Sequence, residues 1–193
     1  MKTIGQALKL FLILTVVTGI IYPLLITVIG QAIFRNKVNG SLIKIDGKIV
    51  GSTLLGQKFT GDKYFWPRPS AIDYNPLPSG GSNLGMTSVA LRDSVMARKD
   101  ALEKTNPGSI AVPSDLLFAS GSGLDPDISP EAARFQIDRV AVARGLDNGG
   151  KKRLITLVEK QIKQPDFGIF GEPRINVLSL NLALDSTFAN DIQ

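Results

Sequence analysis

The chain carries, from Leu10 to Phe34, the uncharged run LFLILTVVTGIIYPLLITVIGQAIF. As a helix, these 25 residues would extend roughly 37 Å, enough to cross a hydrocarbon core of about 30 Å. The alternative is a cleaved signal peptide, with Gly30 and Ala32 as the small residues before the cleavage point. Because the run is longer than the ~7–15 residues of a signal-peptide core, the sequence favours a retained single span over 10–34 behind a short tail, 1–9.

Three residues inside this span suggest more than a plain anchor. Pro23 cannot donate to the carbonyl of Gly19, so a kink is predicted there. Thr15 and Gly19 are four residues apart, a small-residue spacing that allows another helix to approach closely. Two interpretations stay open: a kinked anchor surrounded by lipid, and a helix that packs on a partner protein through Thr15, Gly19 and Pro23.

The composition excludes much of enzymology. The 193 residues contain no Cys and no His. Disulfides, cysteine-ligated metals, thiol catalysis, histidine-ligated metals and Ser-His-Asp triads are therefore ruled out. We expect no catalytic residues and no metal site.

The net charge of +5 does not indicate nucleic-acid binding. No acidic residue precedes Asp46, and three of the 22 basic residues, Lys2, Lys9 and Arg35, flank the span. The remainder holds 19 basic and 17 acidic residues, which is too balanced for a surface that binds a phosphate backbone. Basic residues stand on both sides of the span, and a large domain can cross the membrane regardless of charge. The orientation therefore stays open at this level.

The part after the span reads as alternating turns, short strands and helices. Asp46-Gly47 between two apolar runs predicts a hairpin in 41–52, and Pro and Gly predict ordered loops over 56–85. Ser129-Pro130 predicts a helix start, and Gly145 its end. Other predictions are helices over 87–104 and 151–164, a strand over 114–119, and a helix to 188 that Asn176 caps, although the residues from 175 on partly fit a strand. The fold class is α+β: one N-terminal transmembrane helix, then one compact mixed soluble domain, 35–193.

Two loops of small residues, 80–85 and 120–123, could bind an anion through backbone N–H groups. Neither has the lysine of a P-loop nor the spacing of a dinucleotide-binding fingerprint, so tight turns are the preferred interpretation. Asp125, Asp127 and Glu131 lack the EF-hand spacing and suit a helix N-terminus. These observations favour an accessory or interaction protein of a larger complex, then a tethered binding protein, and lastly a serine- or acid-based enzyme.

Several blocks together resemble one family. They cover nearly the whole chain: TGxxYPLL (18–25), GSTLLGQKF (51–59), Tyr64-Phe65 with RPSA (68–71), Tyr74-Asn75, SGGSNL (79–84), SGSGLDPDISPEAA (120–133), Gln136, Arg139 to Ala141, Ala143-Arg144 and GEPRINVLSLNLALD (171–185). In this combination the sequence is identified as a member of the KdpC family, which belongs to the Kdp system, the potassium-transporting P-type ATPase of bacteria and some archaea. Many members have His where this chain has Asp127 and Lys160.

The resemblance implies a non-catalytic accessory protein in the inner membrane, with its N-terminus in the cytoplasm and its soluble domain outside. Its partners in the Kdp complex would be the channel-like potassium-binding subunit, the ATPase subunit, which hydrolyses ATP, and a small membrane subunit. One account makes the KdpC protein a catalytic chaperone that raises the ATP affinity of the ATPase subunit. On that account no cofactor binds firmly, and ATP would be contacted only in the complex, through Arg68, Gly81, Ser82, Asn83, Ser120, Gly121, Ser122 and Gly123.

The other account makes the soluble domain an extracytoplasmic cap over the potassium entrance. The two conflict because ATP is in the cytoplasm, so a domain outside could alter ATP affinity only allosterically. The lack of a phosphate-binding motif favours the cap. Asp73, Asp125 and Asp127 would then be the candidates for an acidic face that attracts K⁺.

Overall fold

The computed structural model describes residues 2–106 and 111–189. The chain divides into two compact units, one up to Val50 and the other from Gly51 onward. Helices dominate both units, and two small two-stranded sheets accompany them. The predicted α+β class, with an N-terminal apolar helix ahead of a compact region, is confirmed.

The first unit is built on the apolar helix. Helix α1 (Lys2–Val16) and helix α2 (Tyr22–Ile33) are joined by a π-helical turn, Val17–Ile21. Together they form a 32-residue helix whose most apolar 18-residue stretch has a mean hydropathy of 2.5 and no buried residue. Among the described residues it is the one helix long and apolar enough to cross a membrane. The helix already begins at Lys2, so it includes most of the predicted tail.

The π-helical turn lies where Pro23 predicted a departure from regular helix. The backbone N–H of Tyr22 donates to the carbonyl of Val17, five residues earlier instead of four. Pro23 has no N–H to offer the carbonyl of Gly19, and the chain accommodates this by widening the preceding turn. The structure thus has a π bulge directly before the position where Pro23 predicts a kink.

A hairpin follows the short helix α3 (Arg35–Val38), and its second strand continues two residues past Val50. Strands β1 (Leu42–Ile45) and β2 (Lys48–Ser52) pair through Asp46 and Gly47, which have φ of 50° and 77°. An Asp-Gly pair accepts this left-handed backbone readily, so the predicted hairpin is confirmed.

The second unit holds the buried core. Its helices are α4 (Val89–Thr105), α5 (Ser114–Leu117), α6 (Pro130–Ala143), α7 (Asn148–Gln161) and α8 (Val177–Thr187). Strands β3 (Asp127–Ile128) and β4 (Ile175–Asn176) pair antiparallel, with Ile128 opposite Ile175. The fully buried core side chains come from the loops and from α6, α7, α8, β3 and β4 and include Phe65, Ile128, Val140, Leu154, Val158, Ile175, Leu180, Leu184 and Phe188.

Side-chain caps fix where the long helices of this unit begin. Ser88, Ser129, Asp147 and Asn176 each accept a hydrogen bond from a backbone N–H in the first turn of the helix that follows. The helix preferred after Asn176 is thus confirmed, and α6 ends before Gly145, whose φ is +65°.

Two predictions of secondary structure are corrected. The predicted strand over 114–119 is instead the helix α5, because Pro113 starts a turn and Asp115 accepts from the N–H of Ser129 at 2.8 Å. The helix predicted over 151–164 runs from Asn148 to Gln161, because Asp147 caps it three residues earlier. Its predicted last turn is extended, since Lys163 pairs with Arg174 as an isolated bridge.

Candidate functional site

The segment 61–69, which begins with a turn, lies outside every helix and strand and organises the site. The side-chain amide of Asn181 accepts from the N–H of Phe65 at 2.8 Å and donates to its carbonyl at 3.0 Å. Gln136 does the same for Trp66, at 2.7 and 3.1 Å. Both amides are buried, so each replaces the hydrogen bonds of a neighbouring strand. Helices α6 and α8 hold the segment between them.

Arg139 ties the same segment to α6. Its Nη1 donates to the carbonyls of Asp62 at 2.5 Å and Tyr64 at 3.0 Å, and its Nη2 donates to Oε1 of Gln136 at 2.6 Å. Its guanidinium carbon lies 3.8 Å from the centre of the Trp66 ring, a cation–π distance. Burial lowers the pKa of Arg139 to about 10, so the side chain remains charged at neutral pH.

Arg144 adds a third attachment, to α8. It donates to the carbonyl of Lys63 at 2.8 Å and to the Asp185 carboxylate at 2.6 Å, which also accepts from the Tyr64 hydroxyl at 3.1 Å. Burial, and next the hydrogen bond to Asp185, raise the pKa of the Tyr64 hydroxyl. The segment is therefore a rigid base for the loops that follow it.

The two small-residue loops predicted as anion contacts meet each other. The N–H of Gly80 donates to the carbonyl of Ser122 at 3.0 Å. The second loop is also bonded to the segment 61–69, because the N–H of Ser120 donates to the carbonyl of Pro69 at 2.9 Å. A Cβ on Gly81 would lie 2.9 Å from the carbonyl oxygen of Gly121. The structure thus brings together most of the predicted set, and Ser82 and Asn83 follow on the exposed side of the first loop.

Close packing accounts for two of these glycines. Gly123 has φ of +71°, and a Cβ there would lie 2.9 Å from the carbonyl oxygen of Gly80. The carbonyl oxygen of Gly121 leaves no room for a side chain on Gly81. A Cβ on Gly121, by contrast, would meet nothing within 4 Å. Loop-to-loop contact is sufficient to explain why Gly81 and Gly123 carry no side chain.

Arg68 forms an ion pair with Asp125 at the edge of a cavity. Its Nη1 lies 2.8 Å from the carboxylate of Asp125, and both side chains are about 30% exposed. Both residues line a cavity of about 380 Å³, together with the acidic residues Asp115, Asp127 and Glu172 and with Ile128, Ser129, Pro173 and Arg174. Four carboxylates around two guanidinium groups favour a cation over a phosphate.

The three carboxylates predicted to form an acidic face are all ion-paired. Asp125 pairs with Arg68, and Asp127 with Arg174 at 3.3 Å. Asp73 pairs with Lys58 at 2.6 Å, and it does not line the cavity. Each of the three candidates therefore has a cation beside it, Asp125 and Asp127 share one acidic cavity, and an acidic face that attracts K⁺ stays a prediction.

Sequence reasoning did not connect the residues that hold the segment with it. Gln136, Asn181 and Asp185 entered only as parts of matching blocks. A signal was available: Asn181 stands among leucines on α8, and a polar residue on a buried helix face must find a hydrogen-bond partner.

The chain matches the family model described as "K+-transporting ATPase, c chain" over residues 4–186. It is 50% identical to the potassium-transporting ATPase KdpC subunit of Rhodopseudomonas palustris, over 97% of this chain and 98% of the relative. The KdpC subunit of Sorangium cellulosum is 51% identical, over 93% of this chain and 95% of its own. The chain belongs to the KdpC family. The resemblance stated from the sequence blocks is confirmed, and it makes this chain an accessory subunit of a potassium-transporting ATPase.

The KdpC match spans both units. It begins inside α1 and ends in α8, so it includes the apolar helix, the segment 61–69 and both loops. A family that retains helix and domain together is consistent with a protein held in the membrane.

Proposed function

We propose that this KdpC chain has no catalytic activity of its own and stabilises the potassium-uptake complex from the membrane. The observation that carries the proposal is the helix Lys2–Ile33, which is long and apolar enough to cross a membrane and has no buried residue. Its apolar side chains must be covered by lipid or by another helix. Its partners are the channel-like potassium-binding subunit, the ATPase subunit, and the small membrane subunit of the Kdp complex.

The face around Gly19 is the surface that contacts the channel-like subunit. A Cβ on Gly19 would meet nothing within 4 Å, so the helix offers open backbone there. The Thr15 hydroxyl donates to the carbonyl of Phe11 at 2.8 Å, which leaves a small surface without an unpaired donor. Pro23 keeps the π bulge in place beside it. Such surfaces let two helices approach closely in lipid.

Gly19→Leu is expected to reduce the recovery of this chain with the channel-like subunit about tenfold, because a leucine keeps the backbones apart. The measurement is co-purification of the complex from membranes by a tag on the channel-like partner. Gly5→Leu is the matched control, since Gly5 lies on the same helix and its Cβ position is equally open. Recovery of the Gly19→Leu complex at the control level contradicts this contact.

We place the second unit outside the cytoplasm, above the potassium entrance, with the N-terminus inside. The support is the cavity beside Arg68, whose acidic residues outnumber its basic ones and suit a cation-rich approach better than a nucleotide. In this position the KdpC chain influences ATP use only by favouring one state of the transporter.

Ser186→Cys is expected to react in intact cells with a membrane-impermeant maleimide. Ser186 is exposed near the end of α8, and the chain has no other cysteine. Thr3→Cys, exposed at the start of α1, is the matched control and should react only after lysis. The reverse pattern puts the domain in the cytoplasm and overturns the proposed orientation.

A second candidate function is the catalytic-chaperone role. One observation favours it: Gly81 meets the loop 120–123, and the N–H of Ser120 in that loop donates to the carbonyl of Pro69, the residue after Arg68. ATP would then be bound only in the complex with the ATPase subunit, and not firmly by this chain. The same labelling decides between the two, because an external domain cannot touch cytoplasmic ATP.

A further inference from the structure

A short turn of the second unit presents three large apolar side chains to solvent. We call residues 167–170, Phe-Gly-Ile-Phe, the apolar tip. Phe167 is 93% exposed, Ile169 78% and Phe170 65%. Isolated exposed apolar residues are ordinary, but three on one turn form a patch of the kind that marks an interaction site.

The tip is a rigid turn whose backbone is largely bonded within itself. Asp166 and Phe170 exchange two backbone hydrogen bonds, at 2.8 and 2.9 Å, and the N–H of Ile169 donates to Asp166 at 3.2 Å. The N–H of Gly168 donates to the carbonyl of Pro165 at 3.0 Å. A turn closed in this way can leave water without exposing a row of unpaired backbone groups.

Phe167 adopts an unfavourable backbone to take part in this turn. Its φ is 56°, and Gly168 follows at 73°. Glycine, asparagine and aspartate accept this left-handed region, whereas a bulky residue is strained there. Within the described residues the ring gains almost no burial in return, since it is 93% exposed. Strained backbone of this kind clusters at functional sites, where the strained conformation serves binding or catalysis.

We propose that the apolar tip inserts into the interfacial region of the lipid bilayer and gives the chain a second membrane contact besides its helix. The tip residues carry no charge and protrude as a turn, which suits entry between lipid headgroups better than docking on a flat protein surface. The second unit begins at Gly51, and the 17 residues from 34 to 50 can extend at most about 60 Å. This tether keeps the tip at a high effective concentration near the bilayer.

The attraction is hydrophobic rather than electrostatic. The stem on either side of the tip carries Lys163 and Arg174 against Asp166 and Glu172, so its charges cancel. Arg174 lies 3.9 Å from the Asp166 carboxylate, which reduces the cost of bringing that charge near lipid. We therefore expect insertion into zwitterionic vesicles, with little dependence on salt.

The test uses the full-length chain in phosphatidylcholine vesicles, with Ile169→Cys labelled by an environment-sensitive fluorophore. We expect brominated acyl chains to quench the label and aqueous iodide to leave it largely unquenched, at low and high salt alike. The fluorophore on Ser186→Cys, outside the tip, should show the opposite pattern. A label on Ile20→Cys reports the membrane helix separately, so failure of the span and failure of the tip are distinguishable.

Phe167→Asn separates insertion from folding. Asparagine accepts the positive φ, so the variant should melt at the same or a higher temperature. It should nevertheless lower the partition of the Ile169 label into lipid about tenfold, because one of the large apolar groups is lost. If iodide quenches the Ile169→Cys label in the chain that keeps Phe167, the proposal is overturned. The proposal is also overturned if, in the assembled complex, neither the brominated acyl chains nor iodide quench the label at position 169, because a partner protein then covers the tip.

Discussion

Arg139→Met is expected to lower the free energy of unfolding of the second unit by about 2–4 kcal/mol. Methionine can fill much of the volume over Trp66, but it cannot donate to the carbonyls of Asp62 and Tyr64. Both bonds are partly buried, and a carbonyl left without a donor where water cannot replace it costs about 1–3 kcal/mol. The desolvation that lowers the pKa of Arg139 is relieved in the variant, and this offsets part of the loss.

The measurement is chemical unfolding of the full-length chain in detergent, followed by the fluorescence of its single tryptophan, Trp66. Arg134→Met is the matched control on the same helix. Arg134 is exposed and pairs with Glu159 at 2.7 Å, so its loss should cost less than about 1 kcal/mol. Equal effects of the two substitutions would mean that Arg139 does not hold the segment 61–69 in place.

Local sequence signals predicted the parts of this fold that depend on neighbours in the chain. An uncharged run predicted the membrane helix, Asp46-Gly47 the hairpin, and Ser129 and Asn176 the starts of two helices. Each depends on backbone geometry or capping within a few residues, so no tertiary partner is needed to recognise it.

The site could not be predicted in the same way, because its bonds join distant parts of the chain. Gln136 binds Trp66, 70 residues earlier, and Asn181 binds Phe65, 116 residues earlier. The strand predicted over 114–119 failed for a related reason: its turn is held by Asp115 reaching Ser129. Glycines in the two loops could be recognised as special, but whether a ligand or another loop excluded their side chains required the structure.

Contact between the two loops predicts a large loss of stability when one glycine of the second loop is substituted. Gly123→Ala is expected to destabilise the unit by about 2–4 kcal/mol, from left-handed backbone strain and from the contact of the new Cβ. That Cβ would meet the Ile72 side chain and lie 2.9 Å from the carbonyl oxygen of Gly80. The side chain can rotate away, but the carbonyl belongs to the loop that packs on this one. The two loops should therefore separate.

Gly121→Ala is the matched control, since its Cβ would meet nothing within 4 Å and its φ is not positive. We expect it to keep the wild-type melting temperature, whereas Gly123→Ala loses about 10 °C or more. Because Gly121→Ala leaves the fold intact, an effect of this substitution on ATP use would not arise from unfolding of the loops. An unchanged ATP dependence of the potassium-stimulated ATPase in the Gly121→Ala complex is expected if the loops serve structure. A raised ATP requirement there, with normal stability, would mean that the loop 120–123 affects ATP use, and the labelling of Ser186→Cys then decides between direct contact and an allosteric effect.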